Sequence, residues 1–207
     1  MFGDAVKMTL YLATLGILIG LVLGLVFGLM KLSKNPILRF ITGVYIGFVR
    51  GTPLLVQLML MYWVVGAYVN LSAPLLASIG LGIHNGAYLA EIFRGAIQSI
   101  ARGQMEAARS LGMTHYQAMR RIILPQALKR AIPPMGNQFI IAVKDSSLAF
   151  SISVMEIMGQ TRVFFGSNYQ PFPMLAIASV YYLILTTGLS VIVNMIERYL
   201  SKGEVRA

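Results

Sequence analysis

The sequence contains no cysteine. That excludes a disulfide framework, a thiolate nucleophile and any cysteine metal site. Charge is also scarce, at 12% of residues, where soluble domains carry about 25%. Acids are the rarer sign, 7 against 17 basic residues. No G-x-x-x-x-G-K-[ST] loop is present, so the chain lacks that means of cradling a nucleotide phosphate. Neither a G-x-S-x-G elbow nor an H-E-x-x-H helix occurs. The two histidines, His84 and His115, fall on opposite sides of a hydrophobic segment and make no metal pair. Nothing in the sequence supports an enzyme active site, a catalytic residue or a bound cofactor.

What is abundant is apolar surface. Apolar residues make up 57% of the chain and the mean hydropathy is +0.73. A chain of 207 residues cannot hide that much in one soluble core, so an all-α integral membrane protein is expected, with residues 1–207 as a single transmembrane domain. Five spans are predicted, near residues 8–30, 53–69, 74–97, 131–155 and 173–196, with a polar loop at 101–125. The first run is too long for a signal-peptide core and is expected to be retained.

The net charge of +10 could suggest nucleic acid, but the basic residues cluster at the ends of apolar runs. With loop 101–125 inside, Lys31, Lys34, Arg39, Arg50, Arg102, Arg109, Arg120, Arg121, Lys129, Arg130, Arg198, Lys202 and Arg206 are cytoplasmic, and only Lys7 and Arg162 lie outside. The expected topology therefore has its amino terminus outside and its carboxyl terminus in the cytoplasm. No internal repeat stands out, which weighs against inverted-repeat transporters.

Gly16, Gly20, Gly24 and Gly28 recur every four residues in span one. Such a stripe lets another helix approach closely and predicts packing rather than chemistry. Residues 37–50 read as a separate, partly interfacial helix. Thr52 is the expected N-cap of span two, with Pro53 at its first helical position. Residues 156–172 read as a loop.

Ionisable residues at membrane depth are costly and are functional candidates by default. Glu91 and Arg94 are three residues apart, hence neighbours on a helix, and read first as a self-neutralising pair. Lys144 and Asp145 are adjacent, so they point about 100° apart and cannot easily neutralise each other. Either the helix breaks there, with Ser146 and Ser147 satisfying freed backbone groups, or one of the pair faces a polar cavity. Asp145 can pair with an ammonium or guanidinium, while Gln138, Asn85 and the serines can bond a carboxylate. Glu91, Tyr88 and Asn85 are the further pathway candidates in span three. His84 reads as a packed or interfacial histidine.

The polar stretch Gln104–Pro125 reads QMEAARSLGMTHYQAMRRIILP. It is too polar for lipid and must face water or another protein. Glu106 is placed in the first turn of a short helix, with Gly112 just past its end, where a positive φ carries no Cβ penalty. Thr114 and Gln117 fit a capping box opening a second helix, which Pro125 limits. Glu106-Ala107-Ala108, three residues, Gly112, nine residues, then Ile122-x-Leu124-Pro125 resembles the EAA loop of membrane subunits of binding-protein-dependent ABC importers. Seven identities over twenty positions make the match specific. Arg50-Gly-Thr-Pro-Leu-Leu-Val-Gln57-Leu and Lys144-Asp-Ser-Ser-Leu148 resemble segments of the polar amino acid subfamily.

The resemblance implies a five-span permease of the type I importer kind. Glu106, Ala107, Ala108, Gly112, Ile122, Leu124 and Pro125 would form the coupling helix that docks on a separate ATPase. A second permease subunit (identical or a close relative), two ATP-binding subunits holding ATP and magnesium, and an extracytoplasmic amino acid-binding protein are the implied partners. The site is the prokaryotic inner membrane; nucleic acid is not a partner. Asp145, Lys144, Ser146 and Ser147 would line the pathway. Acids in two spans mildly favour a cationic amino acid. Two rivals remain: a secondary permease driven by an ion gradient, with proton relays at Glu91 and Asp145, and a non-transporting membrane scaffold.

Overall fold

A computed structural model describes residues 2–168 and 171–201. The described residues are helical, without strands. In order they form α1 (Phe2–Leu32), α2 (Pro36–Gly51), α3 (Leu54–Leu60) with a π-turn at Met61–Val65, α4 (Ala73–Gln98), α5 (Arg102–Ser110) and α6 (His115–Ala118). A second π-turn (Met119–Ile123) leads into α7 (Leu124–Asp145), followed by a 3-10 turn (Ser146–Ile152), α8 (Ile157–Asn168) and α9 (Pro171–Ser201). Phe2–Leu32 and Pro171–Leu200 are long and apolar enough to cross a membrane by themselves; Pro36–Gly51 with Leu54–Val65 is a third candidate, bent by 106°. The helices α4 and α7 have the length but carry polar side chains.

The central contact is α1 against α4, and the glycine stripe makes it. A Cβ on Gly16 would sit 2.9 Å from Leu81 Cβ, and one on Gly24 would sit 2.6 Å from Leu89 Cβ. With bare glycines there, the backbones approach to a distance that alanine would forbid.

The chain separates residues 36–51 from span two, as the Arg50–Pro53 break predicts, with one difference. Pro53 is the N-cap residue of α3, while Thr52 closes α2 and donates its hydroxyl to Phe48 O at 2.9 Å. A threonine hydroxyl turned back four residues cannot cap forward. The helical part of span two ends at Val65.

Three further expectations are corrected. Pro125 does not limit the helix before it: α6, the π-turn and α7 are continuous. The proline ring would clash with the carbonyl four residues back in a regular α-helix, and the wider π-turn immediately before it relieves that crowding. Pro133 and Pro134 likewise lie inside α7. Glu106 is not in the first turn, because α5 starts at Arg102 with Ala101 as its N-cap residue. Residues 157–168 are the helix α8 rather than loop. Its start is signalled by a glutamate: Glu156 accepts from Met158 N–H at 2.8 Å and Gly159 N–H at 2.7 Å, the bonds that Ser, Thr or Asp would usually supply.

Candidate functional site: a polar helix face joined to a helical elbow

The pathway candidates lie on α4 and α7, which run antiparallel. Asn85 faces Gln138, while Ala96 and Ile100 pack with Ala127 and Ala131. On α4, His84, Tyr88, Glu91 and Gln98 recur at helical spacing and share one stripe, about a quarter turn from Asn85 and away from the glycine-packed side. On α7, Arg130, Pro134, Asn137, Ile141 and Lys144 are the exposed residues of a second stripe, a quarter turn from Gln138. In an antiparallel pair these offsets have opposite rotational sense, so both stripes fall on the same side. The result is one face with polar groups from two helices.

Followed to its other end, the α4 stripe reaches Ala77 and Leu81. There it is covered by Leu54 and Leu58 of α3 and by Ala149 and Ile152 of the 3-10 turn. So the face is roofed at the end near the start of α4 and open toward the α5 end.

The structure gives each predicted pathway residue a place. Asn85 is fully buried; its amide donates to Leu81 O at 2.8 Å and its oxygen accepts from Gln138 Nε2 at 2.8 Å. These two side chains therefore clamp α4 to α7. Glu91 accepts from Arg94 Nη2 at 2.6 Å and from Nε at 3.0 Å, and Arg94 Nη1 donates to Gln98 at 2.6 Å. The α-helix ends at Asp145 and the chain tightens to a 3-10 turn at Ser146. Ser146 is buried, donating to Val143 O, and Ser147 is half-buried. Lys144 is exposed and Asp145 half-buried, with neither forming an ion pair among the described residues.

Three residues on or beside the face were not expected there. Asn137 is exposed on the α7 stripe, and its position one residue before Gln138 was the available signal. Gln57 donates to Val49 O (2.8 Å), Thr52 O (3.1 Å) and Thr52 Oγ1 (2.8 Å), and its Oε1 meets His84 Nδ1 at 3.0 Å. Arg50 lies over the Tyr88 ring, 5.4 Å from its centroid, so it sits against the middle of α4 and not among the charges beside the elbow, where the charge pattern of the sequence places it.

The elbow formed by α5 and α6 is built as the sequence predicts at its joint. Gly112 has φ +82°, and Met113 N–H closes onto Ala108 O at 3.2 Å. Thr114 Oγ1 accepts from Gln117 N–H while Gln117 Oε1 accepts from Thr114 N–H, completing the capping box. Ala108 and Ala118 are buried; Glu106, Ala107, Gly112 and Pro125 are exposed; Ile122 and Leu124 are half-buried. Leu111 and Tyr116 at the tip are 80% and 70% exposed.

Residues 16–203 match the family described as binding-protein-dependent transport system inner membrane component. The chain belongs to that family. Among its relatives is the probable amino-acid permease protein YxeN of Bacillus subtilis (strain 168), 41% identical over 203 residues, covering 96% of this chain and 91% of that one. The glutamine transport system permease protein GlnP of Escherichia coli (strain K12) is 38% identical over 198 residues, with coverage of 94% and 90%. A solved structure described as an amino acid ABC transporter with histidines superposes with a TM-score of 0.90 at 38% identity, covering 96% and 93%. The MetNI methionine transporter shares the fold at TM-score 0.81 and 20% identity. Members of this inner membrane component family are the permease subunits of ABC transporters, and the ATPase is a separate subunit.

Proposed function

We propose that this permease lines half of the pathway of an ATP-driven amino acid importer, and that its α4–α7 polar face is the wall. The observation that carries the proposal is continuity. The exposed elbow and the polar stripe of α7 belong to one helical run, His115 to Asp145, interrupted by a π-turn but by no loop. Movement of a docked ATPase at the elbow would shift the wall directly. Relatives at 38–41% identity named as amino-acid and glutamine permeases support the substrate class.

The finer picture follows. Five spans place the amino terminus outside and the elbow in the cytoplasm. A second permease copy or close relative faces the wall, two ATPases holding ATP and magnesium take the two elbows, and an extracytoplasmic binding protein delivers the amino acid. The roof of α3 and the 3-10 turn closes the outer side. Asp145 is the acid available to a ligand, since Arg94 already occupies Glu91, and it favours an ammonium or guanidinium. Only a ligand or partner with differential affinity for the two states shifts such a gate.

Reconstitution of the whole complex with a panel of amino acids tests the proposal. Amino-acid-stimulated ATP hydrolysis coupled to uptake is expected. Uptake that survives ATP depletion but collapses with an uncoupler would overturn it in favour of an ion-driven permease, and no uptake would favour a scaffold.

A further inference from the structure

Arg50 is a cation without an acid. Among the described residues no carboxylate pairs with it; its one described contact is the Tyr88 ring. It extends from the last turn of α2 onto the polar face of α4. A guanidinium held on an aromatic ring keeps its fork of N–H donors free for a planar anion.

Against the same ring lies His84, 5.1 Å from Tyr88 centroid to centroid. Its protonation pattern is fixed by a relay. Thr52 gives its hydroxyl proton to Phe48 O, so Thr52 Oγ1 accepts. The Gln57 amide nitrogen donates to Thr52 and Val49, which turns Gln57 Oε1 toward His84. An oxygen there requires a proton on His84 Nδ1. In the neutral ring the lone pair then sits on Nε2, for which the described residues supply no partner. Among the described residues no buried side-chain nitrogen or oxygen lacks a hydrogen bond, so Nε2 reaches the surface.

An acid-binding fork and a base thus both meet one tyrosine toward the roofed end of the wall. We infer that Arg50, Tyr88 and His84 form the subsite for the α-carboxylate and α-ammonium of the transported amino acid, with the carboxylate on Arg50 and the ammonium on His84 Nε2. Gln57 is a positioning residue acting through His84. The inference rests on the proposed amino acid pathway and refines it. The backbone part of every amino acid would be recognised here, leaving Asn137, Lys144 and Asp145 to meet the side chain. Bidentate arginine–carboxylate pairing is stronger and more specific than a neutral contact.

The test uses the permease–ATPase complex in nanodiscs, without the binding protein. The probes are L-arginine, L-glutamine and the α-carboxamide of each. The wild-type complex should prefer each free acid over its amide by at least about tenfold, the scale of one charge-assisted bond. Arg50→Gln should bring that ratio close to one, and Arg50→Lys should retain part of it. The ratio is internal to each variant, so a fall in folded yield cannot mimic the effect. Gln57→Leu should weaken acid and amide alike, because the His84 contact is common to both. Retention of the wild-type ratio in Arg50→Gln overturns the subsite while leaving amino acid import standing. A wild-type complex that binds neither amino acid removes both.

Discussion

Gly24 of α1 and Leu89 of α4 lie so close that a methyl group on the glycine would come within 2.6 Å of Leu89 Cβ. Leu89 is fully buried, and the nearby backbone of Ala90 is 3.1 Å away, so neither side can yield cheaply. Gly24→Ala should therefore force the helices apart at a cost of about 1–3 kcal/mol, the range for overpacking a tight core. Gly47→Ala in α2 is the control, since nothing lies within 4 Å of its added Cβ; there a gain of about 0.5–1 kcal/mol is expected. Thermal unfolding of the purified protein in detergent reads both. Equal melting temperatures would discount the close approach.

Gly112→Val should uncouple ATP hydrolysis from transport. Space is not the obstacle at Gly112, because an added Cβ meets nothing within 4 Å. The obstacle is φ +82°, which costs about 1–2 kcal/mol for a residue with a Cβ, and more for a β-branched one. The elbow would open while the membrane helices stay folded. Near-normal yield, continued basal ATPase and lost uptake are expected; normal coupling would count against docking at this joint.

Asp145→Asn should weaken amino acid affinity more than it lowers basal ATPase, because this half-buried carboxylate forms no close ion pair among the described residues. Glu91→Gln should change affinity much less, its carboxylate being held by Arg94 at 2.6 Å. Substrate titrations of the two variants side by side separate these roles. An unchanged affinity in Asp145→Asn would place the side-chain subsite elsewhere.

Glu156 supplies a pH dependence. It is fully buried beyond the predicted end of span four. Burial raises its carboxyl above the usual range, against the opposing donations of Met158 N–H, the Tyr182 hydroxyl and Gly159 N–H. A raised folded-state value means the folded protein holds the proton more tightly than the unfolded chain. Its contribution is then full below about 4.5, the unfolded value, and is lost as pH rises through the folded value. Wild-type protein should gain stability on mild acidification, and Glu156→Gln should lose part of that slope. Parallel pH profiles would show that the carboxyl does not titrate there.

Local features were legible in the sequence, and distant ones were not. The Gly112 joint, the Thr114–Gln117 box and the Glu91–Arg94 pair involve partners within four residues, and the glycine stripe repeats every four, so spacing alone announces them. The family assignment was legible for a similar reason, since the elbow motif fits into twenty consecutive positions. In contrast, Gln57 meets His84 and Tyr182 meets Glu156 across 27 and 26 residues, and no periodicity announces such pairs. The helix α8 was hidden because glutamate is an uncommon cap. The π-turn before Pro125 has no compositional signature, so the proline read as a boundary.

That π-turn leaves the stretch from His115 to Asp145 as a single strut, about 46 Å long at 1.5 Å per residue. A hinge there would have let the elbow swivel idly beneath a stationary membrane layer. Without one, thrust received at Tyr116 on the proposed docking would emerge beside Asp145, and the weakest points between them are Pro133 and Pro134, where the backbone ladder lacks two rungs. Any bending during the transport cycle should concentrate at that pair, dividing the strut into an inner arm that follows the motor and an outer arm that meets the cargo.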